Sequence, residues 1–208
     1  MLKHRLMSSV VSPIKALRNQ FMGGYIVRRW QQNGKPYPVP HIVKQTVINQ
    51  CRKQYGLTTL VETGTYLGDM VDVQKAYFDQ VISIELSEEL ARLAQKRFGR
   101  NANVDIRQGD SATVLKQVTR LLRTPALFWL DGHYSGGITA KGDTECPIFS
   151  ELEAVFSNNQ DHIILIDDAR CFIGKGDYPS LEELSKFITQ RDIRYRISVE
   201  HDIIRVVC

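Results

Sequence analysis

Val61-Glu62-Thr63-Gly64-Thr65-Tyr66-Leu67-Gly68-Asp69 is the stretch whose reading decides the fold. It closes an apolar, β-rich run from Leu57 to Val61, turns on two glycines and leads into a segment of helical character. One βα unit later, Val81-Ile82-Ser83-Ile84 forms a second strand-like run that ends in an acid, Glu85. A strand, a glycine turn, a helix and a second strand ending in a carboxylate make up the nucleoside-binding half of a doubly wound α/β sheet. Glycines allow the backbone to approach a ligand, and the acid is placed to accept hydrogen bonds from ribose hydroxyls.

The charges around the turn select among nucleoside ligands. A dinucleotide needs its pyrophosphate over a G-x-G-x-x-G turn at a helix N-terminus. Here the spacing is Gly64-x-x-x-Gly68, without a Gly-x-Gly, and carboxylates flank it at Glu62 and Asp69. Two anions repel a pyrophosphate but suit a ligand that lacks phosphate and carries a cationic amino-acid end, which describes S-adenosylmethionine. On these residues the sequence resembles the class I S-adenosylmethionine-dependent methyltransferases. Their first motif is an acid-x-Gly-x-x-x-Gly turn and their second an acid closing strand two, matched by Glu62, Gly64, Gly68 and Glu85. The resemblance implies that Thr63, Thr65, Tyr66, Asp69, Leu86, Ser111 and Asp131 line the cofactor beside those four. The plain alternative for the glycine spacing alone is an ordinary βα turn with a surface Glu.

The rest of the chain alternates as such a sheet requires. Ile42, Val43, Val47, Ile48 and Cys51 share one helical face between His41 and Tyr55, and Gly56 suits the stop. Strands are expected near 58–62, 81–85, 104–107, 126–130 and 163–166. Helices are expected near 69–79, from Ser87 to about Phe98, over 112–122, over 147–156 and from after Pro179 to about Gln190. The last residues read as a hairpin of 195–199 and 203–207. The expected fold is therefore α/β, doubly wound and mostly parallel. The resemblance, which covers about residues 42–208, implies seven strands with the last inserted antiparallel between strands five and six.

At 208 residues the chain fits one domain, 41–208, preceded by a basic extension over 1–40. Residues 1–61 hold ten Lys or Arg and no Asp or Glu; the remaining 17 basic residues face 23 acidic ones. Such an arm suits a lid over an acidic cofactor site, or contact with an anionic surface. Transit peptides share its composition. Pro13, Gly23-Gly24, Gly34 and Pro36 interrupt any continuous basic helix, which favours the lid; nucleic acid is not the expected partner. Pro13 and Lys15 likewise cut the one stretch that could serve as a secretory signal, and no apolar run is long enough to span a bilayer. The four cysteines (Cys51, Cys146, Cys171, Cys208) include no C-x-x-C pair, so neither a zinc site nor a disulfide framework is expected. A cytoplasmic protein, with a homo-oligomer as one compatible form, fits best.

Ligands of open α/β sheets bind beyond the carboxyl ends of the strands, and the residues there are polar. After strand three come Gly109-Asp110-Ser111; the resemblance implies that Asp110 accepts from the adenine amino group, while the plain role of Asp110 and Ser111 is a helix N-cap. Strand four ends in Asp131-Gly132-His133 and strand five in Asp167-Asp168. Three carboxylates side by side need a compensating cation or protons, and an all-oxygen set favours Mg²⁺. This pattern is similar to that of the metal-dependent O-methyltransferases of the catechol and macrolide-sugar types. That resemblance places Mg²⁺ on Asp131, Asp167 and Asp168. It departs from the catechol enzymes at Asp168, where they have Asn, and at Tyr134, where they have Lys; a sugar-like hydroxyl is the better expectation. Without a metal, the Asp-Asp loop would cap a turn and bind substrate amines directly. His133 is the best general-base candidate, with Asp131 the alternative acceptor of the substrate proton, though a lone His also serves structure. His162 and His41 read as packing or surface positions. The loops 135–144 and 174–178, with Lys141 and Lys175, read as lids or substrate-selecting segments.

The function expected is Mg²⁺-assisted O-methylation of a small-molecule hydroxyl, sugar-like or natural-product in type. Two rivals stand beside it: a metal-independent methyltransferase acting on nitrogen or a carboxylate, and a non-catalytic nucleoside-binding module whose basic arm recruits a partner.

Overall fold

The computed structural model describes residues 23–132 and 146–208. His133, Tyr134 and the loop 135–144, with Lys141, lie outside the described residues. The chain divides into two compact units, the first reaching Thr46 and the second running from Val47 to Cys208. In the first unit a helix, α1, covers residues 23–32. Its Trp30 packs with Val39 and Val43, and the Trp30 indole N–H donates to the Pro36 carbonyl at 2.8 Å.

The second unit is built on a seven-stranded sheet. Its strands are β1 (Thr59–Thr63), β2 (Gln80–Glu85), β3 (Val104–Gln108), β4 (Leu127–Leu130), β5 (Ile163–Ile166), β8 (Arg196–Glu200) and β9 (Ile203–Val207). Their order is β3-β2-β1-β4-β5-β9-β8. The first five are parallel, and β9 runs antiparallel between β5 and β8. The expected doubly wound sheet with a terminal hairpin is thus the observed one. A separate antiparallel pair, β6 (Ile173–Lys175) with β7 (Tyr178–Ser180), follows β5.

The central strands are buried on both faces, and the pleat sorts their residues between two cores. On one face Val61, Ile84, Phe128, Leu130, Ile164 and Ile166 meet α5 (Ser111–Leu121), α6 (Ile148–Val155) and α7 (Leu181–Arg191). On the other, Leu60, Val81, Leu127, Trp129, Ile163 and Leu165 meet the part of α2 (His41–Tyr55) from Val47 onward, α3 (Asp69–Gln74) and α4 (Glu88–Phe98). Local chemistry sets the helix starts. The Ser87 hydroxyl accepts from Leu90 N at α4, and Ser180 with Glu183 forms a capping box at α7.

Two expectations need correction. The helix beginning at Asp69 ends at Gln74 rather than near 79. Asn103 explains the stop: its side-chain amide donates to the Lys75 carbonyl at 2.8 Å and to the Phe78 carbonyl at 3.0 Å, which satisfies them outside a helix. The loop 174–178 is the β6–β7 hairpin, turned at Gly176-Asp177 with Gly176 at φ 61°.

Candidate functional site

Register places the C-terminal ends of four strands level. Thr63 pairs with Ile84 on one side and Leu130 on the other, and Leu130 pairs with Ile166. The residues that follow emerge in one row: Gly64 after β1, Asp131 after β4 and Asp167 after β5, with Glu85 closing β2. Backbone bonds tie the row together, from Gly64 N to Ile84 O at 2.9 Å, Asp131 N to Thr63 O at 3.2 Å and Asp167 N to Leu130 O at 3.0 Å.

Gly64 occupies the tightest point. Its φ is 84°, and a Cβ there would meet the Asp131 carbonyl oxygen at 2.3 Å. Only glycine permits both the left-handed conformation and the approach of the β1 and β4 termini.

The acids of the first two strands are buried in a shared network. Glu62 is 2% exposed and accepts a hydrogen bond from the Ser83 hydroxyl, which lies 2.6 Å from the Thr65 hydroxyl. Burial pushes the Glu62 carboxyl up to about 8; the Ser83 bond works against that rise and the Glu85 charge adds to it. Glu85 accepts Tyr66 N at 2.8 Å on one carboxyl oxygen and Ser87 N at 2.9 Å on the other. The first bond holds Tyr66 in a left-handed conformation, φ 50°, with its ring exposed. Each Glu85 oxygen keeps acceptor capacity beyond its one amide. Ser83 was not foreseen, although a lone polar residue in an apolar strand is the signal that could have found it.

The remaining expected cofactor residues are placed as follows. Asp110 caps α5, accepting Thr113 N at 2.9 Å, and Ser111 begins that helix. Leu86 follows Glu85 and accepts from the Gln108 side chain through its carbonyl. Asp69 begins α3 at the surface, where Arg97 pairs with it at 3.0 Å and with Asp72 at 3.1 Å. Its charge is engaged by that guanidinium.

At the β4 and β5 ends, Asp131 is half-buried and Asp167 is 1% exposed. A Cβ at Gly132 would come within 3.0 Å of a Glu151 carboxyl oxygen and 3.2 Å of the Thr63 hydroxyl, so these fully buried groups abut the turn after Asp131. Asp168 stands in a left-handed conformation, φ 54°, and its carboxylate pairs with Arg170 at 2.8 Å. Among the described residues no group of three or more His, Cys, Asp or Glu side chains converges to hold a metal ion. Asp131, Asp167 and Asp168 therefore share one sheet edge without forming the expected Mg²⁺ ligand set, and Asp168 is engaged by a guanidinium. Tyr178, from β7, sits near this edge: burial chiefly, then the neighbouring Cys146, Cys171, Asp168 and Asp131, raise its phenol well above the usual range. It was expected only as part of a loop. Burial also pushes the Cys146 thiol up to about 12, which leaves it protonated and unreactive at neutral pH.

His162 lies away from this row and is structural, as expected. Its Nδ1 accepts Ala126 N at 3.0 Å, so Nε2 carries the proton and donates to Asn158 at 2.7 Å. Burial lowers its pKa to about 4.

This chain's fold is shared with solved methyltransferases. An O-methyltransferase from Bacillus cereus in complex with SAH aligns over 89% of this chain and 90% of its own, with 15% identity and a TM-score of 0.59. The chain has the class I methyltransferase fold. An SAH-bound methyltransferase from Podospora anserina aligns over 96% and 95% of the two chains, with 15% identity and a TM-score of 0.57. The O-methyltransferase TomG from Streptomyces achromogenes, in complex with SAM and involved in tomaymycin synthesis, aligns over 86% and 85%, with 12% identity and a TM-score of 0.56. No protein-family model matches the sequence, and no curated protein matches it. Among the described residues no helix is long and apolar enough to cross a membrane.

Proposed function

We propose that this chain transfers the methyl group of S-adenosylmethionine to a hydroxyl oxygen of a small-molecule acceptor, sugar-like or natural-product in type. The observation that carries the reading is the pair of buried acids, Glu62 and Glu85, flanking the left-handed Gly64 turn at the carboxyl edge of this sheet. The SAH- and SAM-bound structures of the same fold support it.

Bound there, S-adenosylmethionine would supply an electrophilic methyl carbon on a sulfonium. The chain's residues position and protect the reacting groups. Glu85 accepts ribose hydroxyls with the lone pairs left by the Tyr66 and Ser87 amides. Gly64 lets the backbone come against the ligand. Asp110 accepts from the adenine amino group with the capacity its cap bond leaves. Glu62, protonated near neutral pH in the free protein, gives up its proton when a cationic amino group docks beside it, because a nearby positive charge favours the carboxylate. Asp131 takes the acceptor hydroxyl proton, with His133 next to it in sequence as the second candidate base. Asp167 and Tyr178 orient the acceptor, and fixing its direction accounts for much of the rate. The reaction is proposed without a metal step, since Arg170 holds the carboxylate that would complete the ligand set.

Calorimetric titration with S-adenosylhomocysteine tests the cofactor half. The wild type binds, and Glu85→Gln loses at least about tenfold in affinity, or about 1.4 kcal/mol. Absence of binding by the wild type refutes the reading. Labelled methyl transfer to panels of sugar hydroxyls, phenols, amines and carboxylates tests the acceptor half, and transfer confined to amines or carboxylates replaces the O-methylation reading.

A further inference from the structure

We infer that Arg170 is the built-in cation of the loop after β5: its guanidinium, held in place by Asp202, compensates Asp168 where a divalent ion was expected. The inference stands on ion-pair geometry and is independent of methyl transfer.

The loop and the β8–β9 turn are joined by three hydrogen bonds, and a fourth lies within the loop. Arg170 Nη1 donates to an Asp168 carboxyl oxygen at 2.8 Å and also to Asp202 Oδ2. The main-chain N–H of Arg170 donates to Asp202 Oδ1 at 2.8 Å, and Ala169 N donates to the Asp202 carbonyl at 2.9 Å. One buried carboxylate, with its side chain 1% exposed, thus grips both ends of Arg170. Charge-assisted bonds of this kind are the strong ones, and an Arg fork is better suited than Lys to bridging two carboxylates.

Asp202 is delivered by the hairpin. His201 and Asp202 both have positive φ, 55° and 59°, the conformation a two-residue turn of this hand requires. Aspartate tolerates it better than most residues. The antiparallel placement of β9 beside β5 then brings this turn against the β5 end, 32 residues away from Arg170.

The arrangement has consequences for cations. Mg²⁺ binds carboxylate oxygens at about 2.1 Å and demands near-octahedral convergence of ligands. A dication on the paired Asp168 oxygen would lie within about 5 Å of a fixed guanidinium 2.8 Å from that oxygen, and the two positive charges repel. Removing Arg170 takes away the guanidinium that Asp168 and buried Asp202 share.

Manganese binding by the full chain, followed by electron paramagnetic resonance, provides the test. The wild type takes up no Mn²⁺ in the micromolar range, and its melting temperature is the same in EDTA and in millimolar Mg²⁺. Arg170→Gln melts lower, by on the order of 5 °C, and recovers part of that loss with Mn²⁺ or in the double variant Arg170→Gln/Asp168→Asn. Stoichiometric micromolar Mn²⁺ binding by the wild type overturns the inference whether or not any variant folds. So does an Arg170→Gln protein that melts like the wild type. Methyl-transfer assays remain a separate readout: absence of activity refutes the proposed function and leaves the manganese result standing.

Discussion

The Glu62 carboxyl rises from an ordinary pKa of 4.5 to about 8 on folding, with burial as the main cause. Between those values the folded chain keeps a proton that the unfolded chain releases. Stability therefore falls as pH rises through this window, the opposite of the usual salt-bridged carboxylate. Each pH unit inside the window costs about 1.4 kcal/mol, so ionisation in the unfolded chain favours unfolding by about 3 kcal/mol at pH 7. Glu62→Gln removes this titration without removing the shape, since a glutamine carbonyl can still accept from Ser83. Urea denaturation at pH 5, 6, 7 and 8 gives the readout. The variant should be about as stable as the wild type near pH 5 and gain about 1.4 kcal/mol per unit above that, approaching 3 kcal/mol at neutrality. Under the proposed function, a ligand amino group docking next to Glu62 would also make binding expel a proton. Calorimetry of S-adenosylhomocysteine in buffers of different ionisation enthalpy should show proton release by the wild type and none by Glu62→Gln. Stability curves for the two proteins that run parallel with pH would refute the assignment of a neutral Glu62.

Three further expectations follow from particular contacts. Gly64→Ala places a Cβ 2.3 Å from the Asp131 carbonyl at a left-handed position; it should destabilise the fold by about 3 kcal/mol or more in urea denaturation. His162, lowered to about 4 by burial, binds no proton in the folded chain where the unfolded chain does. Stability should fall by about 3 kcal/mol as pH drops from 6.5 to 4, and His162→Gln should flatten that slope in the same titration. Asn103→Ala leaves the carbonyls of Lys75 and Phe78 without their donor and should cost about 1–2 kcal/mol, with faster amide exchange over residues 74–78.

The order of elements was legible because the central strands are short apolar runs and α4, α5 and α7 carry local start signals. Ile163–Ile166 and Leu127–Leu130 read as strands buried on both faces, and the structure has them so; Ser87 announces α4 through a local hydroxyl. The acids flanking Gly64 were legible for the same reason: an acid at the end of an apolar strand must lie at the sheet's carboxyl edge. What escaped the sequence was decided by partners distant along the chain. Asn103 ends α3 from 28 residues away. Ser83 reaches Glu62 only because β1 and β2 pair in a register that sets them opposite each other. Asp168 looked like a metal ligand beside Asp167 and Asp131, yet its charge is met by Arg170 and, through it, by an aspartate in the terminal turn. Hydrophobic period and local caps are written within a few residues and so determine the elements. Which charge compensates which depends on the chain closing upon itself, and the tertiary structure alone decides that.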